Sequence, residues 1–148
     1  MKVSIGSDHA GFQLKEYLRV ELENRGYSMV DCGTDSETSV DYPDFARLVC
    51  EKVINGEVPF GIVICSTGIG VSIAANKMRG IRAALCHTEF SAYMARQHND
   101  ANVLALGGSV LGKGLALAIA ETFLAEPFSR EERHVRRVKK LTSLECSQ

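Results

Sequence analysis

The sequence predicts an α/β fold in which helices cover both faces of a parallel β-sheet. Short runs rich in β-branched and other apolar residues alternate with longer amphipathic segments along the chain, and this alternation is typical of βαβ units. The chain has 148 residues, of which 45% are hydrophobic and 24% charged, values that suit one domain with one core. We therefore expect a single domain over residues 1–148.

Five segments have the character of buried strands, because each is short, apolar and bounded by turn-forming residues. In chain order they cover residues 3–5, 27–32, 60–65, 82–86 and 103–106. Gly, Asp or Ser follows most of them. In parallel sheets of this kind ligands bind outside the carboxyl ends of the strands, so the residues that follow each strand matter most.

Six amphipathic segments between and after the strands are predicted to be helices. The first carries apolar residues at helical spacing and ends at Gly26, a residue that commonly terminates helices. Pro43 suits the first turn of the second helix, which is expected to end near residues 55–56. The remaining helices are expected over residues 69–78, 89–97 and 115–124, with a polar, basic C-terminal helix over about 130–144.

Loops that follow four of the predicted strands carry reactive and flexible residues. Their sequences are GSDHAG at 6–11, CSTGIG at 65–70, HTE at 87–89 and GGS at 107–109. Any one of these loops could occur without a function, since turns favour Gly, Asp and Ser. Because the carboxyl ends of parallel strands share one edge of the sheet, several such loops together favour a ligand site there.

The loop after the third strand has the strongest functional signal. Gly68 and Gly70 allow a tight turn that exposes N–H groups at a helix N-terminus, where they can bind a phosphate or stabilise a developing enolate. Cys65 adjoins this loop, and a thiol near a helix N-terminus tends towards the thiolate, which serves as a base or a nucleophile. Spacing alone slightly favours the alternative, in which Cys65 is a small apolar residue at the end of a buried strand.

Three phosphate- or nucleotide-binding motifs are incomplete in this sequence. A cysteine phosphatase loop requires an arginine six positions after its cysteine, and that position holds Val71. A dinucleotide fingerprint requires a third glycine where Ile73 stands. The segment 107–114 places Lys113 as in a P-loop, but Gly114 stands where Ser or Thr must hold magnesium, so ATP binding is not expected.

No metal or other cofactor is expected, and the composition predicts a cytoplasmic protein. Five cysteines without a CxxC pair suit a reducing compartment better than a disulfide framework. The net charge of -1 gives no reason to expect nucleic acid, and no apolar stretch resembles a signal peptide or a membrane span. A zinc site is weakly supported, because short ligand spacing is absent among Cys32, Cys65, Cys86 and His9.

Two segments in the second half of the chain carry polar residues whose meaning the pattern leaves open. His98 lies near the end of a predicted helix, where a histidine is usually on the surface or interacts with the helix C-terminus. The basic stretch at 130–140 is most often a solvated helix face. On a helix, however, Arg130, Arg133 and Arg137 share one side, which suits a phosphate. Val135, Val138 and Leu141 lie on another side and could dock the helix.

Several stretches match one enzyme family in order along almost the whole chain. They are GSDHAGFQLK near the start, DCGT at 31–34, DYPDFA at 41–46, ICSTGIGVSIAANK at 64–77, GIRAAL at 80–85, RQHNDANVLALGG at 96–108 and RHVRRV at 133–138. In these stretches the sequence resembles the type B ribose-5-phosphate isomerases, within the larger group that includes bacterial galactose-6-phosphate isomerase subunits. The ANK and QHNDAN segments are the most distinctive.

The resemblance implies a Rossmann-like three-layer α/β/α sandwich with a five-stranded parallel sheet. It also implies a homodimer whose subunits share a substrate cleft, with a sugar phosphate as the small-molecule partner and no nucleic acid or membrane. The implied reaction interconverts ribose 5-phosphate and ribulose 5-phosphate through an enediolate. The phosphate is then expected at arginines rather than in the glycine loop, which would face the reacting carbons.

Residue by residue, the resemblance implies two groups of site residues. In the catalytic group, Cys65 is the base that moves a proton between C1 and C2, and His98 helps to open the furanose ring. As a hypothesis of our own, we expect Thr67 to help His98 in this step. In the binding group, the expected substrate contacts are Asp8, His9 and Asn99, the enediolate-binding loop is Ser66, Gly68, Ile69 and Gly70, and the phosphate arginines are Arg133 and Arg137.

Three positions bear on the subtype and the substrate. Members that lack the cysteine use a glutamate where this chain has Val71, so the cysteine mechanism is expected. Galactose-6-phosphate isomerase subunits lack the histidine at 98, so its presence favours a pentose phosphate. Relatives usually carry an arginine in the turn after the fifth strand, where this chain has Ser109. We expect one phosphate contact to be lost unless Lys113 or Arg130 replaces it, and a hexose 6-phosphate such as allose 6-phosphate remains an alternative substrate.

A non-catalytic sugar-phosphate-binding protein on the same fold is the competing class. Such a protein would need no base, and the presence of both Cys65 and His98 is therefore evidence against it.

Overall fold

A computed structural model describes residues 1–145, and they form a five-stranded sheet with six α-helices. The strands run parallel in the spatial order β2-β1-β3-β5-β4. Their bounds are Lys2–Ser7 (β1), Ser28–Asp31 (β2), Phe60–Cys65 (β3), Ala83–Leu85 (β4) and Val103–Gly107 (β5). The predicted α/β class and the five parallel strands are confirmed.

Helices cover both faces of the sheet and give it two apolar layers. The helices are Phe12–Asn24 (α1), Tyr42–Ile54 (α2), Ile69–Asn76 (α3), Glu89–Asn99 (α4), Lys113–Ala125 (α5) and Glu132–Leu144 (α6). On one face α1, α4 and α5 bury Leu18, Ala92 and Phe123 against the sheet. On the other face α2 and α3 bury Val49 and Val71. The three-layer sandwich follows from the βαβ alternation.

The first two helices end at glycines, as the sequence predicts. Gly26 has φ +86°, its N–H donates to the carbonyl of Glu23 at 2.9 Å, and the N–H of Tyr27 donates to that of Leu22 at 3.1 Å. This pair of bonds satisfies carbonyls that the last helical turn leaves open. Gly56, with φ +71°, ends α2 in the same way. The left-handed conformation is the reason that glycine stands at both positions.

The predicted boundaries of the two edge strands were too wide. Tyr27 and Cys32 lie outside β2, and Arg82 and Cys86 lie outside β4. An edge strand pairs on one side alone, so β-propensity at its ends is not supported by a second neighbour. The central strands β3 and β5 have neighbours on both sides, and their predicted bounds differ from the observed ones by at most one residue.

The C-terminal helix begins two residues later than predicted, which corrects the prediction for Arg130. This residue has φ +56° and precedes the helix, whose N-cap is Glu131. A left-handed residue cannot continue a right-handed helix. Arg130 therefore does not extend the helix face that carries Arg133 and Arg137.

Helix α1 carries a buried lysine. Lys15 is 1% exposed, and its Nζ contacts Asp31 Oδ2 and Glu16 Oε1, each at 2.5 Å. Its methylene stem fills the space beside Gly33, where a Cβ would lie 2.5 Å from Lys15 Cδ. This contact ties α1 to the end of β2. No helix within residues 1–145 is long and apolar enough to cross a membrane.

Candidate active site

Cys65 ends β3 at the carboxyl edge of the sheet. Its side chain is 5% exposed, and Sγ accepts a hydrogen bond from the N–H of Gly68 at 3.2 Å. Gly68 is the N-cap of α3 with φ +78°, so this N–H belongs to the positive end of a helix. A hydrogen bond donated to sulfur stabilises negative charge there, which suits a cysteine that acts as a base.

The loop at 65–70 is held against the loop after β5 by backbone contacts. The N–H of Gly108 donates to the carbonyl of Cys65 at 2.8 Å, and the N–H of Ser109 donates to that of Ser66 at 2.9 Å. The hydroxyls of Ser66 and Ser109 lie 3.1 Å apart. A Cβ at Gly107 would lie 2.7 Å from the backbone of Thr67. The glycines therefore let two backbones approach closely, which fixes the direction of the loop N–H groups.

Asp8 and His9 follow β1 and border the same loops. Asp8 is buried, and its Oδ1 accepts from the N–H of Gly11 at 3.0 Å. The Nδ1 of His9 accepts from the N–H of Val40 at 3.2 Å. In the neutral ring this bond places the proton on Nε2, which makes that atom a hydrogen-bond donor. Thr67 is exposed in the loop at 65–70, and its Oγ1 accepts from the N–H of Ile69 at 3.3 Å.

The other described cysteines are poor bases. Burial raises the pKa of Cys50 to about 12, and burial also raises the pKa of Cys32 and of Cys86 above the usual thiol value. These thiols therefore stay protonated at neutral pH. In residues 1–145, His, Cys, Asp and Glu form no group of three suited to a metal ion, and Cys32 and Cys86 follow strands at opposite edges of the sheet.

His98 and Asn99 end α4, at the opposite edge of the sheet from Cys65. A helix that connects parallel strands runs back along them, so its C-terminus lies at the amino edge. The His98 ring is half-buried and stacks on the ring of His134, with 4.1 Å between centroids and 14° between planes. Asn99 is exposed, and its carbonyl accepts from Nε of Arg82 at 3.2 Å.

Arg133 and Arg137 belong to the same edge as His98. Both are exposed on α6, which packs on α4. Arg133 Nε donates to Glu131 Oε2 at 2.8 Å, an ion pair that solvent weakens because both side chains are more than half exposed. Two guanidiniums one turn apart on a helix can bind a phosphate together.

The predicted site residues thus form two separate sets within one chain. The carboxyl-edge set is Asp8, His9 and residues 65–70, and the amino-edge set is His98, Asn99, Arg133 and Arg137. In the β3–β5 register Cys65 faces Gly107 and Gly61 faces Val103, and at about 3.3 Å per residue the two edges are roughly 13 Å apart along the strands. One chain does not bring Cys65 and the two arginines together.

Some residues of the site were missed by sequence reasoning. A Cβ at Gly70 would lie 2.8 Å from the Tyr42 ring, so this tyrosine covers the glycine loop. Val40 fixes the His9 ring across 31 residues of sequence, a contact that no local pattern reveals. His134 was detectable, because it precedes Val138 and Leu141 at the i, i+4, i+7 spacing of an apolar helix stripe.

Comparison with known proteins agrees with this architecture. The family model described as Ribose/Galactose Isomerase matches residues 3–141. The chain is 46% identical over 144 residues to ribose-5-phosphate isomerase B of Escherichia coli strain K12, covering 97% of this chain and 96% of that protein.

Solved structures of ribose 5-phosphate isomerases also resemble this chain closely. The structure of ribose-5-phosphate isomerase B from Clostridium thermocellum superposes with a TM-score of 0.97 at 52% identity, covering 99% of both chains. That of the Thermotoga maritima ribose 5-phosphate isomerase has a TM-score of 0.94 at 49% identity, covering 96% of this chain and 97% of that one. With its sheet order, its glycine loop after β3 and these matches, the chain belongs to the ribose/galactose isomerase family.

Proposed function

We propose that this protein interconverts ribose 5-phosphate and ribulose 5-phosphate, with Cys65 as the base. The observation that carries the proposal is the placement of Cys65 Sγ, 3.2 Å from the N–H of Gly68 at the start of α3. The same helix N-terminus that stabilises a thiolate can stabilise an enediolate, so base and anion site adjoin each other. Membership of a family of sugar isomerases supplies the reaction class.

The reaction needs one carbon-bound proton to move by one carbon. The Cys65 thiolate takes the proton from C2, and the electron pair of the broken C–H bond forms the enediolate, whose charge resides on oxygen. The protonated thiol then returns the proton to C1, while a hydroxyl proton passes between the oxygens of C1 and C2. The N–H groups of residues 66–70 contribute most in the charged intermediate, since they are already oriented by the glycine contacts.

Ring opening uses residues of both sets, and phosphate binding falls to the amino-edge set. His98, with Thr67, assists proton transfer as the furanose ring opens, and Asn99 binds the sugar. Arg133 and Arg137 bind the phosphate, which a pair of planar guanidiniums can hold through several hydrogen bonds. Asp8 and His9 contact the sugar beside the base, with His9 Nε2 as a donor.

A homodimer with a shared cleft reconciles the two sets. Residues at opposite edges of one sheet can meet only when a second chain presents its amino edge to the carboxyl edge of the first. Apolar side chains on α3 and α6 support such a contact, because Ile69 and Ile73 are 53% and 56% exposed and Leu144 is 63% exposed. We place the assembly in the cytoplasm, where reduced cysteines persist.

The pentose assignment has one specific alternative. Ser109, which stands in place of the usual arginine, is bound to Ser66 through its hydroxyl and adds no positive charge. A longer sugar such as allose 6-phosphate could then be preferred. Turnover of ribose, allose and galactose phosphates by the same preparation decides between them, since discrimination is the ratio of their kcat/KM values.

The Cys65→Ser substitution tests the chemistry. The variant is expected to keep its fold and to lose at least about 100-fold in kcat, because a hydroxyl is a far weaker acid than a thiol. Cys32→Ser is the matched control, since this thiol is half-buried just after β2, and the variant should retain wild-type turnover. Ketose formation is followed in a coupled assay with and without chelator. Wild-type turnover by Cys65→Ser refutes the base assignment, and binding without turnover by the wild type indicates the non-catalytic class.

A further inference from the structure

A histidine occupies the position at which α6 is anchored to the body of the protein. His134 is 2% exposed and is the buried residue of α6, whereas its helical neighbours are half-buried or exposed. Leucine or phenylalanine would fill such a position without any polar atom. The Nε2 of His134 has no hydrogen-bond partner within the described residues. A buried nitrogen without a partner costs stability, so its presence at this position calls for an explanation.

The His134 ring lies flat against the ring of His98. The centroids are 4.1 Å apart and the planes differ by 14°, so the rings overlap face to face. One side of the His98 ring is therefore covered by His134, and the ring as a whole is half-buried. A histidine side chain has a broad, soft second torsion, and this stacking restricts it.

The surroundings of His134 keep its ring neutral. Burial lowers its pKa below the usual 6.5, and the nearby charges of His98 on α4 and of Arg133 and Arg137 on α6 act in the same direction, while Glu131 opposes them. The Glu131 carboxylate lies 3.9 Å from Nε2, beyond hydrogen-bond distance. A neutral ring beside His98 does not repel a proton that His98 takes up, whereas a second imidazolium would.

We propose that His134 is a positioning residue that holds the His98 ring, by stacking, in the orientation required for opening the sugar ring. The assignment rests on the proposed isomerase function and adds a residue to it. His134 itself touches no reacting atom. It couples the two parts of the amino-edge set, because the helix that carries Arg133 and Arg137 is anchored through the same ring that orients His98.

The stacking can be tested without substrate. In the wild-type protein labelled in its histidine rings, the ring current of His134 should shift the His98 ring protons in the nuclear magnetic resonance spectrum. His134→Leu keeps an apolar anchor and removes the stacked ring, so this shift should disappear. His134→Phe keeps a flat ring at the anchor and should retain it. An unchanged His98 shift in His134→Leu overturns the proposal, whatever the protein catalyses.

A double-mutant cycle tests the link to turnover. We expect His134→Leu to lower kcat on ribose 5-phosphate by about 10-fold with KM within about twofold, as for a misplaced catalytic group. In a His98→Leu background, where spontaneously opened sugar sustains slow turnover, the same substitution should change kcat by less than about twofold. His134→Phe should stay within about threefold of the wild type.

Each outcome has a defined meaning. An equal loss in both backgrounds indicates a general structural role for His134 and overturns the proposal. If His134→Leu does not fold, His134→Phe decides alone, and loss of its His98 shift or of its turnover contradicts the stacking role. A wild-type protein that does not isomerise ribose 5-phosphate refutes the proposed function and leaves the spectroscopic result to stand by itself.

Discussion

Substitution of Gly68 by alanine should damage both the fold and the chemistry. Gly68 has φ +78°, and a Cβ there would lie 2.5 Å from Leu85 Cδ1 and 2.8 Å from the backbone carbon of Leu106. The left-handed conformation alone costs about 1–2 kcal/mol for a residue with a Cβ, partly offset by the reduced entropy of the unfolded chain. Crowding against backbone adds about 1–3 kcal/mol, for a total loss of roughly 2–4 kcal/mol.

Gly80→Ala is the matched control for the backbone term. Gly80 has φ +81°, almost the same as Gly68, but a Cβ there would meet nothing within 4 Å. Its expected loss is therefore the conformational part alone, about 1 kcal/mol. The difference between the two variants, measured from urea unfolding curves with equal slopes, isolates the crowding beneath the glycine loop.

The activity of Gly68→Ala should fall by about 100-fold in kcat, comparable to the loss of one oriented donor from an anion site. Movement of Gly68 by the clash displaces the N–H that lies 3.2 Å from Cys65 Sγ. Gly80→Ala, outside this loop, should keep wild-type turnover. The close-packed loop is refuted as the anion site if two results occur together. The unfolding free energies of Gly68→Ala and Gly80→Ala would differ by less than about 0.5 kcal/mol, and Gly68→Ala would keep the wild-type kcat.

Three further predictions concern the scaffold. Lys15→Met should change the unfolding free energy by less than about 1.5 kcal/mol. Asp31→Asn should lower the unfolding free energy by about 1–3 kcal/mol, because this substitution removes one of the two carboxylates that face the buried Lys15 charge. Chemical denaturation of both variants checks these values. Hydrogen bonds from Arg19, and to a lesser extent from Lys15, lower the pKa of Glu16 from 4.5 to about 2. The contribution of ionised Glu16 to stability is therefore present above pH 4.5 and is lost as the pH falls towards 2. Glu16→Gln should flatten the pH dependence of the unfolding free energy between these two values. Thr88 caps the N-terminus of α4, and its hydroxyl accepts a hydrogen bond from the N–H of Ser91 at 3.1 Å. Thr88→Ala removes this bond and should lower the unfolding free energy by about 1 kcal/mol in the same assay.

The central strands and the helix ends were predictable because local chemistry determines them. β3 is an uninterrupted apolar run ending in a loop with glycines, and Gly26 is the left-handed residue that its helix end requires. Cys65 and the glycine loop followed from β3, since a residue at the end of a parallel strand must lie at the carboxyl edge. Local periodicity and turn chemistry were sufficient for these features.

Features that depend on distant contacts were not predictable in the same way. Arg130 fits a helical pattern, but the chain turns there with φ +56° before α6 packs on α4. Nothing near His9 in sequence indicates that Val40 fixes its ring. Lys15 shares the buried face of α1 with Leu18 and Leu22 at i, i+3, i+7 spacing. This spacing indicated its burial, but a lysine is seldom buried, so the prediction was not made.

The separation of His98 from Cys65 illustrates both cases. The βαβ alternation requires α4 to run back to the amino edge of the sheet. The separation between His98 and Cys65 can therefore be predicted from the order of the strands and helices. In the proposed homodimer, the way in which a second chain closes that distance would depend on surface shape and on exposed apolar residues such as Ile69 and Ile73. Sequence periodicity carries little information about such quaternary contacts.

Subunit complementation tests the shared site most directly. In the proposed homodimer, Cys65→Ser and His98→Leu should each reduce every site of their own dimer to a small residual turnover. When equal amounts are mixed and allowed to exchange subunits, half of the dimers should be mixed, and each mixed dimer has one site with both lesions and one with neither. If the site is shared, about a quarter of wild-type activity should be recovered. No recovery from a mixture shown to contain mixed dimers would contradict it, because each site would then be built from a single chain.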